Sequence, residues 1–250
     1  MASATNLASK EAVEKSTRIS QKENKIPSGS MDSKGLKITR VFTTEGTNPL
    51  DKIEYEKRKS CITEPDGTVI FEFDQVEVPK DWSQLATDII ASKYFRKAGV
   101  PETGHEISAR QVVNRIANTI RVDGEAKGYF ASKEDADAFE AELSYMLITQ
   151  RAAFNSPVWF NIGLYQQYGI KGSGGSFYYD EEAQKIVQTE DSYSHPQCSA
   201  CFIQSVSDDL MGIFDLVKNE ARLFKYGSGT GTNFSKIRGK QEHLSGGGTS

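Results

Sequence analysis

Residues 197–250 read QCSACFIQSVSDDLMGIFDLVKNEARLFKYGSGTGTNFSKIRGKQEHLSGGGTS. Three chemically distinct pieces follow one another. Cys198-Ser-Ala-Cys201-Phe-Ile is a short, strand-like run carrying two thiols. Ser207-Asp208-Asp209-Leu210 opens an amphipathic helix, and Phe214, Val217, Ala221 and Phe224 are predicted to form its buried face. Gly227-Ser-Gly-Thr-Gly-Thr-Asn233 is predicted to be a glycine-rich turn, with Lys236, Arg238 and Lys240 placing cations beside it. A thiol beside a loop of free backbone N–H groups suggests redox chemistry on an anionic substrate.

Each piece also has a plainer reading. A zinc site needs four ligands, and His105, His195 and His243 are dispersed, so no metal site is predicted. A thioredoxin-like pair would open a helix, but Phe202-Ile203 follow the second cysteine and suggest a strand. One thiol then does the redox work while the other packs. Asp208 either caps the helix or meets a ribose hydroxyl or base edge at its exposed end, and composition does not separate the two. The glycine run fails the Walker pattern, because no Gly-Lys-Ser/Thr follows, and it fails the dinucleotide fingerprint. What is left is a flexible loop or a backbone cradle for phosphate oxygens.

Upstream, residues 151–163 (RAAFNSPVWFNIG) change character at Pro157, which cannot sit inside a helix. Val158-Trp-Phe160 is predicted to be a buried strand, with Asn155, Ser156 and Asn161 at its mouths. Those polar residues either face a ligand or simply make a helix-to-strand turn. Further back, residues 53–62 and 68–78 alternate around Glu64-Pro-Asp-Gly67, which predicts a hairpin. Cys61 in its first strand is read as a half-buried, small packing residue.

Residues 38–42 are a short strand candidate. Helical spacing is seen at Trp82, Leu85, Ala86, Ile89, Ile90 and Tyr94, and again from Val112 to Ile120, with Asp123-Gly124 closing the second helix. Ser132 caps a third helix with Glu134 and Asp135 in its first turn and Phe139, Leu143, Met146 and Leu147 on its apolar face. Tyr178-Tyr179 and residues 185–187 suggest a small surface hairpin around Asp180, and His195 is a turn residue. Residues 1–35 hold little to bury and are read as a disordered tail.

A net charge of −4 argues against non-specific nucleic-acid binding. No apolar run approaches the roughly 20 residues of a membrane span, and the N-terminus lacks the apolar core of a secretory signal. The cysteine count of 3 is odd, which favours a reducing, cytoplasmic setting.

Taken together, Asn155-Ser-Pro-Val-Trp-Phe-Asn161, Ser199-Ala-Cys-Phe202, the glycine run with Ser235-Lys-Ile-Arg238, and Gly246-Gly-Gly-Thr-Ser250 resemble the catalytic chain of class II, adenosylcobalamin-dependent ribonucleotide reductases. The resemblance covers residues 36–250. It implies a helical amino-terminal domain (36–150) with a β-hairpin, then the first part of a ten-stranded α/β barrel (151–250).

The resemblance also implies thiyl-radical removal of the ribose 2′-hydroxyl, adenosylcobalamin as cofactor, and a cysteine pair as reductant. Cys201 matches the first reducing cysteine. Ser156, Ala200, Ser228 and Gly229 match substrate contacts. Asp208 and Arg238 match the allosteric effector site. Cys198 has no matching role. The implied partners are a ribonucleotide, a deoxynucleotide effector, a thioredoxin-like reductant and the rest of a reductase chain, with a homodimer as a further option.

Because Ser250 falls where the family continues into its barrel, the expectation is a fragment that is inactive and poorly soluble alone. The alternatives are a class I large chain, or a non-catalytic nucleotide-binding piece of a split enzyme.

Overall fold

The computed structural model describes residues 35–243 and 246–249, so the predicted tail at 1–35 lies almost wholly outside the described residues. Chain direction first reverses in a long antiparallel hairpin, β1 (Tyr55–Thr63) and β2 (Val69–Pro79), around the predicted Pro-Asp-Gly turn. Gln75, at φ 63°, sits where the register slips between Arg58/Val76 and Ser60/Phe73, a bulge that bends the ribbon. Val76 and Val78 then point into the core, and Ser60 is buried opposite. Cys61 falls on the outer face and is exposed, not half-buried, because side chains alternate along the strand.

Helix α1 (Gln84–Ile89) is capped by Ser83 and runs on as a π-helical turn, Ile90–Tyr94. Its buried side carries Thr87, Ile90 and Ala91, with Trp82 buried just ahead of the cap, while Leu85 and Ile89 of the predicted stripe face outward. Helix α2 (Ala109–Ala126) does not stop at Gly124. Gly124 is buried within it, where a Cβ would come 2.9 Å from a Phe130 ring carbon. That glycine marks a close approach and not a helix end.

Helix α3 (Lys133–Ile148) begins as predicted, with Ser132 accepting from the Asp135 amide. The hairpin, α1, α2 and α3 enclose the main core of Trp82, Val112, Val113, Ile116, Leu143, Leu147 and Ile148. Full burial of each such side chain stabilises by roughly 1.5–3 kcal/mol. The Trp82 indole N–H donates to the Ile148 carbonyl at 2.8 Å, so this ring brings no unpaired polar atom inside.

The strand predicted at 38–42 does not form. Leu36 pairs briefly with Phe130, and the amides that follow find carboxylates instead of a neighbouring strand. Ile38 N–H donates to Asp135, and the amides of Phe42 and Thr43 donate to Glu142. These bonds hold the Asp135 carboxyl below its usual range, the Ile38 amide being the largest cause.

Pro157 was expected to precede a strand, and it heads a helix instead: α4 (Ser156–Asn161). Proline fits the first turn of a helix, where its missing N–H would have had no partner. A short helix α5 (Leu164–Tyr168) follows Gly163. The predicted surface hairpin is present as β3 (Phe177–Asp180) and β4 (Lys185–Gln188), with His195 stacked on Tyr178 at 3.5 Å.

The chain then makes a β-α-β unit. Strand β5 (Cys201–Ser205) and strand β6 (Gly229–Asn233) run parallel, joined by α6 (Leu210–Lys225). The glycine run predicted as a turn is thus a strand. Among the described residues, no helix is long and apolar enough to cross a membrane.

Candidate functional site

Two-residue alternation assigns the faces of the β5–β6 pair. Cys201 and Ile203 are exposed on one face, opposite Gly229 and Gly231 in the register. A Cβ on Gly229 would lie 3.8 Å from Cys201 Sγ, and one on Gly231 would lie 3.2 Å from Ile203 Cδ1. Glycine at these positions leaves the space beside the thiol clear. Phe202 and Gln204 lie on the other face, with Thr230 and Thr232.

Helix α6 covers that second face with Leu216 buried and with Glu220, which accepts hydrogen bonds from Thr230 at 3.2 Å and Thr232 at 2.9 Å. The sheet-facing stripe is therefore Gly212, Leu216, Glu220 and Leu223. Phe214, Val217, Ala221 and Phe224, the predicted buried face, are exposed. Within this chain the face turned to the sheet is the one on which Glu220 meets two threonine hydroxyls.

The two cysteines look into different spaces. Cys198 and Phe202 line a cavity of about 1080 Å³ shared with Thr119, Tyr178, His195 and Arg222. The Cys198 thiol donates to the Pro196 carbonyl at 3.3 Å, and burial pushes its pKa up. A thiol held protonated is a poor nucleophile and a good packing group. Cys201, by contrast, stands exposed at the head of β5.

Around Cys201 the loop is closely bonded. Gly229 N–H donates to the Ala200 carbonyl at 2.5 Å. Ser228, 4% exposed, donates its hydroxyl to the Ser199 carbonyl at 2.6 Å. Gln197 accepts from Ser199 N–H at 2.7 Å and donates to Ser199 O and Ser228 Oγ. Cys201, Ala200, Ser228 and Gly229 thus occupy one patch.

Ser156 stands apart at the head of α4, where its hydroxyl shares a 3.1 Å hydrogen bond with Tyr94 on the π-helical turn. Helix α4 reaches the cysteine loop through Asn161, whose amide donates to the Gln197 carbonyl at 2.8 Å. Asp208 does not cap α6. The cap is Asp209, accepting from Gly212 N–H at 2.8 Å, which leaves Asp208 to accept from Arg238 Nε at 2.7 Å. Arg238 also reaches the Asp208 carbonyl.

A buried hub holds α4 in place. Arg115 and Glu106, 1% and 0% exposed at their side chains, pair at 2.8 Å. Arg115 also donates to the Trp159 carbonyl at 3.1 Å and to that of Ile162, taking up carbonyls at the end of α4. Tyr168 donates to Glu106 at 2.9 Å, and burial first, then Glu106, keeps its phenol protonated far above the usual range. None of Tyr94, Glu106, Arg115, Gln197 or Glu220 was given a role at the site from sequence, because each meets partners on other elements.

Residues 56–150 match the family described as class II vitamin B12-dependent ribonucleotide reductase, and residues 199–250 match the ribonucleotide reductase barrel domain. The second match covers the β5–α6–β6 unit with its exposed thiol. This chain belongs to the class II vitamin B12-dependent ribonucleotide reductases.

A vitamin B12-dependent ribonucleotide reductase of Agrobacterium fabrum is 47% identical over 86% of this chain and 20% of its own length. One from Bradyrhizobium diazoefficiens is 46% identical over the same shares. A vitamin B12-dependent ribonucleoside-diphosphate reductase of Thermoplasma acidophilum is 46% identical over 18% of this chain and 6% of its own length. The chain spans about a fifth of the length of the first two relatives. The patch and the Asp208–Arg238 pair both lie within the matched residues 199–250.

Proposed function

We propose that this chain supplies part of the substrate and effector sites of a ribonucleotide reductase, with Cys201 as one of its two reducing thiols. The carrying observation is the geometry of Cys201: exposed, at the start of a strand, beside a glycine-lined open face within the barrel-domain match. In the overall reaction the ribose C2′–OH bond breaks, the hydroxyl leaves as water with one thiol hydrogen, and a C2′–H bond forms with the other. Two thiols lose their hydrogens and close to a disulfide, and a thioredoxin-like partner restores them.

Cys201 is one of those thiols. The second is not Cys198, which is turned into the cavity and held protonated. Ser156, Ala200, Ser228 and Gly229 orient the nucleotide through hydroxyl and backbone groups. We assign the substrate as a ribonucleoside diphosphate, following the Thermoplasma relative's name, and the setting as cytoplasmic.

Asp208 and Arg238 form the effector contact. Their ion pair opens so that Arg238 meets phosphate oxygens through its planar fork and Asp208 takes a hydrogen bond from the sugar.

The family's cofactor is cobalamin, assigned here as adenosylcobalamin, which would supply the radical when bound. His105 packs edge-on against Phe73 with its ring nitrogen at the Glu106 carbonyl, and His195 is stacked on Tyr178. No group of His, Cys, Asp and Glu among the described residues could hold a metal ion. What these residues do is bind, orient and reduce.

The test is made in the complete reductase chain. Cys201→Ser should fold normally and lose multiple turnover with a dithiol reductant, while Cys198→Ser turns over like the parent. Equal losses from both would overturn the assignment and point to a working pair.

A further inference from the structure

We propose that Gln197, anchored by Asn161, is a positioning residue that locks the two strand entrances of the substrate patch to each other and to helix α4. This inference rests on the reading of Cys201, Ala200, Ser228 and Gly229 as a substrate patch. Gln197 sits one residue before Cys198, and its side-chain amide uses both ends. Its carbonyl oxygen accepts from Ser199 N–H at 2.7 Å. Its NH₂ group donates to Ser199 O at 2.8 Å and to Ser228 Oγ at 2.6 Å. Ser228 in turn donates to Ser199 O, closing a ring of hydrogen bonds between the residues preceding β5 and those preceding β6.

The backbone of the same residue is tied to the other half of the site. Asn161, the last residue of α4, donates its side-chain amide to the Gln197 carbonyl. Gln197 and Asn161 also line a small cavity of about 250 Å³ with Phe160 and Gly227. The head of α4 carries Ser156, and its tail is clamped by Arg115. Any displacement between α4 and the cysteine strand must therefore stretch bonds at Gln197. An aliphatic side chain of equal length could fill the space and could make none of these bonds. Each bond of this kind is individually modest, but the ring shares its partners, so loss of its centre frees several groups together.

The experiment uses the complete reductase chain with Gln197→Met, which keeps side-chain volume and removes the amide. A second variant, Asn161→Ala, removes only the anchor. Two readouts are taken: amide hydrogen exchange across residues 198–205 and 227–233, and steady-state kinetics. Exchange in both segments should quicken about tenfold in Gln197→Met, the scale expected for one to two lost hydrogen bonds. The KM for the ribonucleotide should rise by a similar factor of about ten, with kcat changing less, and Asn161→Ala should show a smaller shift of the same kind.

Unchanged exchange in Gln197→Met overturns the lock. Faster exchange with an unchanged KM overturns its role in positioning. Ser228→Ala separates the inference from the reading beneath it: if that variant also leaves KM unchanged, the substrate patch itself has been misassigned.

Discussion

Replacing Gly163 by alanine tests whether the site's first helix is truly fitted against α2. Gly163 joins α4 to α5 at φ 79°, a left-handed conformation. An alanine there pays about 1–2 kcal/mol for the backbone alone. The added Cβ would also sit 2.8 Å from the Arg115 carbonyl oxygen and 2.6 Å from both Arg115 Cγ and Thr119 Oγ1.

A threonine hydroxyl can rotate away, but the backbone oxygen and the Arg115 stem cannot move without disturbing the buried pair with Glu106. Overpacking of this sort costs about 1–3 kcal/mol, so Gly163→Ala should lose about 2–5 kcal/mol in all.

Gly67 in the hairpin turn is the control. Its φ is 88°, and a Cβ there meets nothing within 4 Å. Gly67→Ala should therefore show only the backbone penalty of about 1–2 kcal/mol. Urea unfolding of both variants, followed by the fluorescence of Trp82 and Trp159, measures the difference. A gap of less than about 0.5 kcal/mol between them, below the overpacking range, would refute the close approach of α4 and α5 to α2.

Further outcomes are expected. Asp209→Ala should lower stability by about 1 kcal/mol through the lost cap, whereas Asp208→Ala and Arg238→Ala should unfold nearly like the parent. In the complete enzyme those last two variants should lose the switch of substrate preference by deoxynucleoside triphosphates, and a retained switch would return them to a structural role. Arg115→Met should destabilise the fold by about 3–5 kcal/mol, because Glu106 is left buried without its cation. Adding Glu106→Gln should recover part of that loss, and no recovery by thermal or urea unfolding would show that the pair is not the source.

Much of this molecule was legible one residue at a time. The β1–β2 hairpin follows from alternation around Pro-Asp-Gly, α3 from the Ser132 cap, and β5 from the apolar pair after Cys201, all of them local signals. The family resemblance was legible too, carried by short motifs whose order survives in the chain.

Other features depended on residues far away in sequence. Pro157 heads a helix whose Ser156 hydroxyl meets Tyr94 and whose Trp159 carbonyl meets Arg115, partners carried by other elements. Which face of α6 meets the sheet is seen only when β6 is in place, with Thr230 and Thr232 donating to Glu220. The glycine run became a strand because β5 lay alongside to pair with it. Periodicity and capping report what a segment prefers by itself. Burial of a charge, pairing of a strand and closure of a hydrogen-bonded ring exist only once the distant partner has arrived.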